Sequence, residues 1–136
     1  MSAIAIASFA YSQGPPPQAN LILDMRFLRN PHWQEELRAL DGRDPAVGAH
    51  IAEDEAYAPA MAHVEALILA LADRYGPEGK PCFSVAFGCT GERHRSVHVA
   101  ERVAARLREA GFSPTLTHRD LAASAAGIGT DGFQGG

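Results

Sequence analysis

The stretch from Cys82 to Gly111 constrains the fold most. A short apolar run, Cys82-Phe83-Ser84-Val85-Ala86-Phe87, leads into the loop Gly88-Cys89-Thr90-Gly91-Glu92-Arg93-His94-Arg95-Ser96, and the loop opens directly into a segment of helical period. From about His94 to Ala110 the apolar positions Val97, Ala100, Val103, Ala104 and Leu107 recur at three- and four-residue steps, and Gly111 stands where a helix would end. Strand, glycine-bearing turn and amphipathic helix in that order predict a helix folded back onto its strand. A chain built from such units forms an open, largely parallel sheet flanked by helices.

The rest of the chain alternates in the same way. Residues 3–9 and 20–25 are short and aliphatic, as buried strands are, and the proline-rich stretch Ser12 to Pro17 between them is a loop. A brief helical patch is expected near Gln34 to Leu40. Asp44-Pro45 reads as an N-cap with proline at the first helical position. Tyr57, Met61, Val64, Leu67, Ile68, Leu71 and Tyr75 form the stripe of a long helix that Gly76-Pro77 would stop, and residues 112–118 supply a fourth strand. The expected α/β domain spans residues 1–120 and resembles no repeat array. Residues 121–136 are expected to form a short alanine-rich helix, capped by Asp120, and a flexible glycine-rich tail.

Composition sets the outer bounds. The 136 residues are 46% hydrophobic and 21% charged, which suits one globular domain. The two cysteines, Cys82 and Cys89, give no disulfide framework, and the apolar N-terminus has no basic flank, so a cytoplasmic location away from membranes is expected. The net charge of −4 argues against a generally basic nucleic-acid surface. Residues 91–119 nevertheless carry six arginines against three glutamates. A local basic zone inside an acidic protein suits a small anionic ligand.

The loop has the parts of a phosphate cradle. A strand-to-helix turn points unpaired N–H groups and the positive helix end at an anion. Gly88 and Gly91 would permit the tight path, Thr90 and Ser96 would add hydroxyls, and Arg95 would grip a phosphate with two parallel hydrogen bonds. The Gly-Lys-Ser/Thr ending of a nucleotide-hydrolysing P-loop is absent, and no cofactor is expected. Three other readings stay open. The segment is also what an ordinary strand-to-helix turn looks like. Cys89 and Arg95 have the Cys-x5-Arg spacing of phosphatases that attack through a thiolate, although Gly88 stands where those enzymes usually carry histidine and the acid, Asp24 or Asp44, is unplaced. His94, His98 and His118 would suffice for a metal, yet the spacing lacks an accompanying acidic base and no metal site is expected.

Several blocks resemble the C-terminal domain of the RNase adapter protein RapZ, the YvcJ family. They are Ser8 to Tyr11, Leu21 to Trp33 with its Arg-Phe-Leu-Arg-Asn-Pro-His-Trp run, Leu37 to Val47, the loop through Glu101, and His118-Arg119. The resemblance implies an α/β fold similar to a phosphofructokinase subdomain and a sensory site for an amino-sugar phosphate, glucosamine 6-phosphate. By position it assigns the phosphate to Cys89, Thr90, Gly91, His94, Arg95 and Ser96, and the neighbouring wall to Arg26, Asn30, His32 and Asp44. It also suggests self-association and a protein partner.

The departures set limits on this carry-over. The family's nucleotide-binding N-terminal domain has no counterpart in the 136 residues, so the chain reads as a stand-alone domain. Ala10 and Ser12 replace a usual glycine and lysine, and the family's basic tail gives way to a glycine-rich, slightly acidic one. Phosphate contacts to RNA need a Lys/Arg surface, so only weak RNA binding through the arginines of residues 91–119 is expected.

Overall fold

The computed structural model describes residues 4–75, 82–91 and 93–121. Four strands, β1 (Ile4–Ala10), β2 (Leu21–Asp24), β3 (Phe83–Cys89) and β4 (Thr115–His118), form one sheet in the order β2-β3-β1-β4. Every neighbouring pair is parallel. Three α-helices join them: α1 (Pro45–Ala52), α2 (Tyr57–Ala72) and α3 (Arg95–Glu109).

One face of the sheet carries the core. Side chains alternate along a strand, so Ile4 and Ile6 share a face with their register partners Phe83 and Val85, and Phe87 continues it. These residues cluster with Met61 and Ile68 of α2 and with Val99, Ala100, Val103 and Leu107 of α3. The steps from β2 to β3 and from β3 to β4 run in the same direction across the sheet. Right-handed crossovers therefore put their helices on one side. The other face is made of small and polar residues such as Ala5, Ala7, Ser84 and Thr117, and Ile22 there is 42% exposed.

Most elements lie where their periodicity puts them, and the differences have local causes. All five apolar positions named for α3 are buried. Burying one such valine or leucine contributes about 1.5–3 kcal/mol. Val99 is buried as well, because α3 meets α1 and α2 along its flank. The end of α3 is a Schellman motif: Phe112 N donates to Leu107 O, Gly111 N donates to Arg108 O, and Gly111 adopts φ +97°. This closure, with Pro114 next to it, delays β4 to Thr115. α1 starts as expected, with Asp44 Oδ1 accepting from Ala46 N at 2.9 Å. The helical patch near Gln34 to Leu40 instead forms 3-10 turns, at Pro31–Trp33 and Glu35–Leu37, anchored by buried Pro31 and Leu37. On α2, Leu67 is 45% exposed, so the buried stripe is narrower than the spacing suggests. The Gly76-Pro77 stop and the tail beyond residue 121 lie outside the described residues.

Strand β3 runs two residues beyond the apolar run, and this changes the role of Gly88. A Cβ there would meet the Phe9 ring at 2.4 Å and the Tyr11 ring at 2.8 Å. Gly88 is thus required by the aromatic pair packed on it, rather than by the curvature of a phosphate loop. The turn proper begins at Thr90.

A hydrogen-bonded line ties β1, β4 and α3 together. Ser8 Oγ lies 2.7 Å from His118 Nδ1, and His118 Nε2 lies 2.8 Å from Glu101 Oε2. The order mimics a hydrolase triad, but Ser8 is 2% exposed in the middle of β1. No substrate reaches its oxygen, and the line is an internal tie.

Candidate functional site

The four strands end together, with Ala10 opposite Cys89, Asp24 opposite Gly88 and Ser8 opposite His118. Ligands of open parallel sheets bind beyond such carboxyl ends. A cleft of about 760 Å³ opens there, between the Thr90-Gly91 turn and the 3-10 turns that follow β2.

The floor is Cys89. Its thiol donates to Gly91 O at 3.0 Å, Ser96 N donates to its sulfur at 3.2 Å, and Ser96 Oγ lies 3.2 Å from the same sulfur. The sulfur thus takes the place of a side-chain cap at the start of α3, where His94 makes no capping bond. Thr90 and Gly91 are exposed and line the cleft. Among the described residues, no acceptor meets their backbone N–H groups or that of Arg95. N–H groups so placed at a helix start are of the kind that suits an anion.

Arg95 is 5% exposed, and its placement changes the expected grip. Its Nη1 donates to Arg26 O at 2.7 Å and to Leu28 O at 3.0 Å, so one side of the guanidinium holds down the chain leaving β2. Nε and Nη2 have no acceptor among the described residues. Part of the fork is thus committed to the fold, in a residue that lines the cleft. His94 behaves similarly. It is 6% exposed, and its Nε2 lies 3.1 Å from Leu37 O. Against a carbonyl, Nε2 is the donor. Burial pushes its pKa down, keeping the ring neutral.

Of the wall residues, Asn30 and His32 line the cleft, in a turn where Asn30 Oδ1 accepts from His32 N at 3.0 Å. Two others are placed elsewhere. The Arg26 guanidinium pairs with Asp24 at 2.6 Å and lies 4.1 Å from the Tyr11 ring centre, and this pairing holds the Asp24 carboxyl below its usual range. Asp44 caps α1 and faces a second cleft of about 490 Å³ beside Tyr57 and His98. Ser96 is fully buried behind Cys89. The three histidines considered for a metal have separate partners: Leu37 O for His94, the Tyr57 hydroxyl for His98, and Ser8 with Glu101 for His118.

Sequence reading missed Trp33, Glu35, Arg38 and Arg93, all of which line the cleft. Arg38 Nε donates to His32 O and Arg93 Nη1 donates to Ala39 O, so both guanidiniums are steered along its rim. Among the described residues they and Arg95 put three cations against one carboxylate, Glu35. Trp33 was within reach of sequence reasoning, because it shares a 3-10 turn with His32.

The segment 37–44 bounds this cleft and crosses the start of α3. Gly42 N donates to Arg93 O at 2.7 Å, and a Cβ on Gly42 would lie 2.4 Å from His94 O and from His98 N. Only glycine permits that approach.

The RapZ C-terminal domain model matches residues 2–122. The chain belongs to this family. It is 54% identical over 125 residues to a nucleotide-binding protein of Novosphingobium aromaticivorans, covering 92% of this chain and 41% of that one. A nucleotide-binding protein of Rhizorhabdus wittichii is 57% identical over 118 residues, 87% of this chain and 38% of its own length. The match to nucleotide-binding protein ZMO1325 of Zymomonas mobilis is 51% over 118 residues, 87% of this chain and 36% of the relative. The chain therefore spans about two fifths of the length of these curated relatives. Among the described residues no helix is long and apolar enough to cross a membrane.

Proposed function

We propose that this RapZ C-terminal domain binds a phosphorylated small molecule, an amino-sugar phosphate such as glucosamine 6-phosphate, without transforming it. The observation that carries the reading is Arg95, bonded to the Arg26 and Leu28 carbonyls through Nη1 and lining a cleft where the Thr90 and Gly91 N–H groups meet no acceptor among the described residues. A phosphate seated there would complete the donors that the fold leaves open, with Asn30 and His32 beside the sugar. Family membership supports ligand binding, and the relatives' printed name admits a nucleotide as a competing ligand.

Calorimetry with inorganic phosphate, glucose 6-phosphate, glucosamine 6-phosphate and a nucleoside monophosphate tests this. The amino-sugar phosphate should bind most tightly. Equal affinity for glucosamine 6-phosphate and inorganic phosphate would remove the sugar from the reading, and no binding of any anion would end it. RNA should bind weakly and more weakly still as salt rises, because few phosphate-neutralising side chains are present. A tight, salt-insensitive RNA complex would restore the adapter reading.

One observation favours a second reading, a thiolate phosphatase. Ser96 N donates to the Cys89 sulfur at 3.2 Å at the start of α3, where helix N–H groups favour a thiolate. Release of phosphate from an aryl phosphate decides it. No turnover above background is expected; robust hydrolysis that disappears in Cys89→Ser would replace the binding reading.

A further inference from the structure

Trp33 is the most exposed large hydrophobic side chain among the described residues, at 75%, and it stands on the lip of the 760 Å³ cleft. Exposure of that size on a floppy loop would carry no argument. Here the turn beneath it is fixed: Trp33 N donates to Asn30 O at 3.3 Å, Gln34 N donates to Pro31 O at 2.9 Å, and Arg38 Nε donates to His32 O at 3.0 Å. The indole also meets the His32 ring edge-on, with centres 5.6 Å apart. The protein thus holds a large flat apolar surface against water, beside donors suited to an anion. An indole face left open in this way is suited to stacking on another flat or weakly polar ring.

We infer that Trp33 is a stacking platform for the ring of a phosphate ester whose phosphate sits over Arg95 and the Thr90-Gly91 turn. The ligand is then a cyclic compound, a pyranose phosphate or a nucleotide, and not an open-chain phosphate. Glu35, the one carboxylate lining the cleft among the described residues, is the acceptor for hydroxyl or amino hydrogens on that ring. This inference rests on the anion-binding reading and extends it to a residue which that reading does not use. The two clefts differ here: the second, beside Tyr57 and His98, has no comparable unengaged face, since Tyr57 is buried and bonded to His98.

The sequence contains a single tryptophan, so intrinsic fluorescence reports on Trp33 alone. The full 136-residue chain is titrated with inorganic phosphate, glycerol 3-phosphate, glucose 6-phosphate and a nucleoside monophosphate, followed by fluorescence and by calorimetry. The expected result is a fluorescence change with at least one ring-bearing ester, which binds about tenfold more tightly than glycerol 3-phosphate. The sugar and nucleotide arms then say which ring is taken. In Trp33→Ala the preference for that ring-bearing ester over glycerol 3-phosphate should collapse to near unity, whereas Trp33→Phe should keep most of it. Phe27→Ala, exposed but outside the cleft, should leave the preference unchanged. A preference that survives in Trp33→Ala, or glycerol 3-phosphate binding as tightly as both ring-bearing esters, would overturn the platform while leaving anion binding intact. Failure of every phosphate to bind would overturn both readings.

Discussion

The two clefts lie on either side of the segment 37–44 and share helix α3, yet they use charge in opposite ways. In the smaller cleft the charged groups satisfy one another: Arg43 holds Asp41, Arg102 holds Glu65, and Asp44 is spent on capping α1. In the larger cleft, Arg38, Arg93 and Arg95 each bond a backbone carbonyl through one edge and find no carboxylate partner among the described residues. A paired guanidinium has little left to offer a ligand, whereas a tethered, uncompensated one is held in place and still carries its full charge. The contrast singles out the larger cleft more sharply than size alone.

The largest effect expected is at Arg95. Arg95→Ala should lower phosphate-ester affinity by about tenfold or more and destabilise the fold by about 2–3 kcal/mol, because the Arg26 and Leu28 carbonyls lose charge-assisted bonds. Calorimetry together with urea unfolding reads both. A binding loss without destabilisation would mean that the carbonyl bonds are incidental. Gly42→Ala should come next, at about 1–3 kcal/mol, since its Cβ meets backbone atoms that have nowhere to yield. It should disturb both clefts; a variant with wild-type melting would show that segment 37–44 is loosely seated.

A pH titration probes both sides of that segment. Burial lowers the pKa of His94, facing the larger cleft, and of His98, facing the smaller. In each case the unfolded chain takes up a proton before the folded protein does. Their contribution is therefore complete above about pH 6.5, the ordinary histidine value, and is lost as pH falls from there toward the lowered values. Stability that stayed flat between pH 7 and 5 would contradict the burial of both rings. Smallest of all should be Arg102→Ala, about 0.5 kcal/mol, because the Arg102 side chain is half exposed and Glu65 keeps Arg106 as a second partner at 3.9 Å. A loss above about 2 kcal/mol would show the smaller cleft to be more than a paired surface. Cys89→Ser should likewise change ligand affinity little, since the backbone donors of the turn remain.

Periodicity was sufficient for α3, for the four strands and for the Asp44 cap, because spacing and capping are local properties. It was insufficient wherever a residue answers to a distant partner. Gly88 reads as part of a phosphate loop until the rings of Phe9 and Tyr11 are seen where its Cβ would go. Arg26 and Asp44 read as wall residues, but Asp24 holds one and the first turn of α1 holds the other. Arg38 looks unremarkable in the chain and gains meaning only from the turn that brings it to the rim. These roles depend on tertiary geometry, to which short-range spacing is blind.

The split allegiance of Arg95 has a thermodynamic consequence. One guanidinium braces the carbonyls of Arg26 and Leu28 and also faces the cleft, so wall rigidity and occupancy are linked quantities. A ligand that steadies Arg95 also steadies residues 25–28, and by reciprocity any contact that stiffens those residues from outside raises the affinity within. Phe27, 53% exposed in the middle of that stretch, is the natural handle for such a contact. Amide hydrogens of residues 25–28 should then exchange more slowly when phosphate is bound, reporting cleft occupancy at the surface of the protein.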